Sequence, residues 1–126
     1  MKKSMYRYFK ISTYNIHLIS SKSDPLVFPS DTTDPNQIDC FDNINMHSEN
    51  NTELITVYVV DSDVKDLPKP DTIIFPSGIW WGHWPITKED FYTYLDVLRN
   101  EQPVYGTLDK INPSTNSINT EKPVYR

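Results

Sequence analysis

Glu53-Leu54-Ile55-Thr56-Val57-Tyr58-Val59-Val60-Asp61 is the stretch on which the fold turns. β-Branched and aromatic residues dominate it, and no glycine or proline interrupts it. Such residues fit a pleated, packed surface. Leu54, Thr56, Tyr58 and Val60 point one way; Ile55, Val57 and Val59 point the other. A run apolar on both sides reads as a central strand covered on both faces.

Toward the C-terminus, residues 62–71 hold Pro68 and Pro70 and read as a polar turn. Residues 72–76 (TIIFP) read as a short strand ended by Pro76. Residues 87–100 carry the clearest helix signal. Thr87 is a natural N-cap with Asp90 three residues on, and Ile86 and Phe91 are spaced for a hydrophobic staple. Phe91, Tyr94, Leu95 and Leu98 make one apolar stripe. Pro103 stops the helix, and residues 103–111 read as a last strand.

Toward the N-terminus, residues 21–52 read as a long connection with Pro25, Pro29 and Pro35 and a short helical turn near 35–46. Residues 5–20 read as a long strand, able to bend, on which Tyr6, Tyr8 and Tyr14 share one face. The expected architecture is α+β: a mostly antiparallel sheet of about four strands with one main helix, 87–100, packed on one face. Residues 1–111 form a single domain, and residues 112–126 form a tail, either a weak hairpin or disordered.

The 126 residues suffice for one core without covalent staples. One cysteine, Cys40, makes no internal disulfide, so the expected compartment is the cytoplasm. Neither an apolar signal core nor a membrane-length apolar run is present. Charge is uneven. Between Asp24 and Asp71 eleven acids face two bases, giving −9, whereas the rest of the chain carries +4. An acidic middle disfavours nucleic acid, which needs clustered Lys and Arg, and favours a basic protein partner.

Ile79-Trp80-Trp81-Gly82-His83-Trp84-Pro85 holds all three tryptophans of the chain. Framed by Pro76, Gly78, Gly82 and Pro85, it reads as an aromatic loop rather than an ordinary strand, with Trp80 or Trp81 buried and Trp84 partly exposed. Tryptophans on an accessible loop serve as binding anchors. His17, His47 and His83 lack metal-ligand spacing, no metal or cofactor is expected, and three glycines build no phosphate-cradling loop.

Val57-Tyr58-Val59-Val60-Asp61-Ser62-Asp63-Val64 resembles the first motif of haloacid dehalogenase-like phosphotransferases. The resemblance implies Asp61 as nucleophile and Asp63 as acid. It covers eight residues; Pro68 and Pro70 block the early helix that family requires. The profile as a whole (small, acidic, aromatic-rich) is similar to bacterial toxin-immunity proteins. That similarity implies a non-enzymatic antitoxin, a monomer or weak homodimer, that neutralises a basic, nuclease-type toxin. Asp31, Asp34, Asp39, Asp42, Asp61, Asp63 and Asp66 would steer the partner, and Trp80, Trp81, His83 and Trp84 would contact it. The alternative is a small metal-dependent hydrolase or nuclease using Asp61 and Asp63, with His83 as general base.

Overall fold

The computed structural model describes residues 5–18, 41–60 and 67–120. Asp31, Asp34, Asp39, Cys40, Asp61, Asp63 and Asp66 lie outside them. The apolar run becomes β3 (Glu53–Val59), paired on both sides as its two apolar faces require. On one side it runs antiparallel to β2 (Asn43–Ser48). On the other it runs parallel to β5 (Trp80–Ile86). With β1 (Tyr6–His17), β4 (Asp71–Ile74), β6 (Tyr105–Asp109) and β7 (Ser117–Asn119), the sheet has, among the described residues, seven strands in the order β4-β5-β3-β2-β1-β6-β7.

The α+β class holds, but the sheet is larger than expected and mixed. Three strands lie where the sequence read as loop or tail. β5 is the aromatic segment itself, made a strand by pairing with β3 and by a hairpin with β4. Gly78, at φ +91°, closes that hairpin, and its N–H donates to the Phe75 carbonyl at 2.8 Å. β2 replaces the end of the supposed long connection, so residues 43–46 are extended, not helical. β7, within the stretch read as a tail, pairs with β6.

β1 does break its pattern. Ile11 faces Ser48 while Thr13 faces His47, so Ser12 is an extra residue, a β-bulge. Before the bulge, Phe9 and Ile11 join the core; after it, Tyr14 and Ile16 do. Tyr14 therefore does not share the face of Tyr6 and Tyr8, whose rings stack at 6.2 Å.

α1 (Lys88–Asn100) starts as its sequence dictates, with the Thr87 hydroxyl accepting from the Asp90 N–H at 3.1 Å. It buries Phe91, Leu95 and Leu98 in a core with Ile11, Ile44, Met46, Ile55, Val57 and Leu108. The sheet curls until its two ends meet. Lys110 Nζ donates to the Thr72 carbonyl at 2.9 Å, and Asn116 Nδ2 donates to Thr72 Oγ1 at 2.7 Å. Across the interior β5 meets β6: any Cβ at Gly82 would collide with the Leu108 side chain.

Candidate functional site

The sheet face turned away from α1 carries a row of polar residues in direct register. Asp71 on β4 faces His83 on β5, His83 faces Thr56 on β3, Thr56 faces Asn45 on β2, and Asn45 faces Asn15 on β1. Strand alternation makes the row. Asn15, Asn45 and Thr56 each sit between apolar neighbours that point into the core, so these polar side chains share the opposite face, and the register places His83 and Asp71 in line with them. The row is sunk in the middle, where Thr56 and His83 are buried, and surfaces at Asn15 and Asp71.

Hydrogen bonds run along it. Trp81 Nε1 donates to Thr56 Oγ1 at 2.9 Å, and Thr56 Oγ1 donates to Asn45 Oδ1 at 2.6 Å. Asn45 Nδ2 donates to Asn15 Oδ1 at 3.3 Å and to Asn43 Oδ1 at 3.0 Å. Asn43 Nδ2 ends one branch on the Phe41 carbonyl at 2.9 Å. Asn15 Nδ2 ends the other on His47 Nε2 at 3.4 Å.

His83 packs on the Trp81 indole, ring centroids 4.4 Å apart. Burial holds its pKa below the ordinary 6.5, while the negative charge of Asp71 pulls the other way. Burial also lowers His47. Tyr58, on the neighbouring row, has a buried hydroxyl without a hydrogen-bond partner among the described residues, and burial pushes its pKa up to about 12.

Asp71, His83 and Thr56 stand in the order acid, base, hydroxyl, which is the order of a hydrolase triad. The hydrogen bonds decide against that use in this arrangement. The Thr56 proton goes to Asn45, and its lone pair receives the Trp81 N–H. A nucleophile needs its proton turned toward the base.

β5 splits the expected aromatic cluster between two faces. Trp80 and Trp84 point into the main core; Trp81 joins a second cluster with Tyr58 and Val60, where Phe75 stacks on its indole. Trp80, Trp81, His83 and Trp84 are 6%, 0%, 2% and 8% exposed, so the expectation of a partly exposed Trp84 is corrected. The reason is that the segment is an interior strand with both faces covered. Trp84 Nε1 donates to Tyr94 Oη at 3.0 Å, and the Arg7 guanidinium lies over the Trp80 ring at 5.0 Å. Asp42, half-buried just before β2, accepts the Val59 N–H through its carbonyl.

Asn15, Asn43, Asn45, His47 and Asp71 were not among the sequence-derived site residues. For Asn43, Asn45 and His47 the signal was the alternation Asn43-Ile44-Asn45-Met46-His47, a strand period inside a segment read as loop. Among the described residues, no three or more His, Cys, Asp or Glu side chains are grouped to hold a metal, and no helix is long and apolar enough to cross a membrane. No family model, no curated protein and no solved structure matches the chain.

Proposed function

We propose that this protein is a non-enzymatic, cytoplasmic binding protein that neutralises a basic protein partner, in the manner of an immunity protein acting on a nuclease-type toxin. The observation that carries the reading is the charge division: −9 between Asp24 and Asp71 against +4 elsewhere. A surface of one sign speeds encounter with an oppositely charged partner and rejects partners of like sign. Three acids of that stretch take exposed or half-exposed positions at strand ends: Asp42 before β2, Glu49 after it, and Asp71 at the start of β4.

The indoles serve this function from inside, as the rigid base of the sheet. Surface contact falls to exposed aromatics instead. Tyr92, 60% exposed on the outer side of α1, lies within one turn of Glu89 and Asp96. A tyrosine offers a large contact with little side-chain entropy to lose.

The test is reconstitution. Partners captured from the native host are purified, mixed with this chain, and assayed for complex stoichiometry and for the partner's own activity. The expected result is a stoichiometric complex with a basic protein, weakened by salt, in which the partner's activity is lost. Partners that are acidic, or that bind without losing activity, would sink the proposal.

A further inference from the structure

The amide network on β1 and β2 has a fixed direction. The Phe41 carbonyl can only accept, so it holds Asn43 with Nδ2 toward itself and Oδ1 toward Asn45. That orients Asn45 with Nδ2 outward and Oδ1 toward Thr56. Asn45 Nδ2 in turn claims Asn15 Oδ1, which leaves Asn15 with only a donor to offer His47. His47 Nε2 must therefore accept, so its proton sits on Nδ1 and the ring is neutral.

We infer that His47 and Asn15 form a proton-operated latch between β1 and β2. A proton on His47 Nε2 sets two donors face to face across the Asn15–His47 contact. Turning the Asn15 amide over relieves that clash and creates another, because Asn15 Nδ2 then meets Asn45 Nδ2. Asn45 cannot follow, since Asn43, pinned to the Phe41 carbonyl, holds it. Protonation thus costs one of the two side-chain bonds that tie Asn15 to β2, whichever way the Asn15 amide is turned, and the C-terminal half of β1 loosens. The buried branch from Asn45 through Thr56 to Trp81 stays intact.

Burial of His47 adds to the same preference for the neutral ring. Among the described residues, β1 presents Thr13 opposite His47, and β3 presents Leu54. The titratable groups on adjoining positions are His17, two residues past Asn15, and Glu49, two residues past His47.

Proton NMR across the acid range tests the latch. His47 ring protons give its midpoint, and three other signals are followed: the Asn15 side-chain amide protons, exchange of the β1 amides paired with β2, and the Trp81 indole N–H. The expected result is that the Asn15 signals move with the His47 midpoint, β1 exchange quickens below it, and the Trp81 signal stays put. In Asn15→Ala the His47 midpoint rises toward 6.5, and in His47→Gln the acid-driven exchange is lost. Asn15 signals flat through the His47 titration, or an unmoved His47 midpoint in Asn15→Ala, would overturn the latch. Movement of Trp81 with His47 would overturn the Asn43 pin.

Discussion

At Tyr58 the fold buries a hydroxyl. The ring closes the second cluster beside Trp81 and Phe41, and the oxygen finds no partner among the described residues. A buried polar group left without a bond carries a desolvation penalty of about 1–3 kcal/mol. Removing the oxygen while keeping the ring is therefore expected to be neutral or stabilising. Urea unfolding of Tyr58→Phe should give a midpoint at or above that of the parent chain. The histidines carry the reverse cost. His47 and His83 are held below 6.5 in the fold, so the unfolded chain binds more protons than the folded one just below that pH. Their contribution is complete above about 6.5 and is lost as pH falls toward the lowered folded values. Urea midpoints measured at descending pH should fall across this window, and His83→Gln should flatten the fall. Trp80, Trp81 and Trp84 were legible from sequence as an exceptional cluster with Trp80 or Trp81 buried, but the burial of all three was not. An indole's chemistry suits a core and an interface equally, and only the pairing partners of β5 decide between them.

The elements show where periodicity speaks and where it is masked. β3 and α1 were readable because each has a long, unbroken pattern and, for α1, a cap. β2 was not, because its outward residues are Asn43, Asn45 and His47, types common in turns, and its apolar inward residues number only Ile44 and Met46. The Ser12 bulge was invisible because one inserted residue leaves local composition unchanged while reversing every later side chain. Closure of the sheet was invisible too, since it depends on pairs far apart in sequence. Asn116 carries much of that closure. Its Oδ1 accepts from the Asp109 N–H at 2.7 Å, and its Nδ2 holds Thr72 on the opposite edge. Asn116→Ala leaves the Asp109 N–H and the buried Thr72 hydroxyl each short of a bond. A loss of about 1–3 kcal/mol is expected, read as a lowered urea midpoint. Ser117→Ala, on a half-buried side chain next door, should cost far less.

Across the whole molecule, the indoles are buried while Asp42, Glu49, Asp71 and Tyr92 reach the surface. The tryptophans build the sheet's packing, and on the proposed reading the exposed charge meets a partner. If the acids steer and Tyr92 anchors, their substitutions must separate kinetically. Asp42→Asn and Asp71→Asn remove rim charge, so they should slow association with the basic partner and leave dissociation nearly unchanged. The slowing should fade as salt rises, because exposed charges are screened beyond roughly 10 Å at 0.1 M. Asp71→Asn also removes the charge that raises His83, so circular dichroism at pH 7 must show the variant folded before its rates are compared. Tyr92→Ala, at an exposed position whose ring only edges the Phe91 ring, should change stability little and raise the dissociation rate, by about tenfold or more if the ring is a central anchor. Surface plasmon resonance at two ionic strengths reads both effects. Equal effects of the acid and tyrosine variants on both rates would mean that neither group has the role assigned to it. Unaltered rates in all three would move the contact surface elsewhere on the sheet.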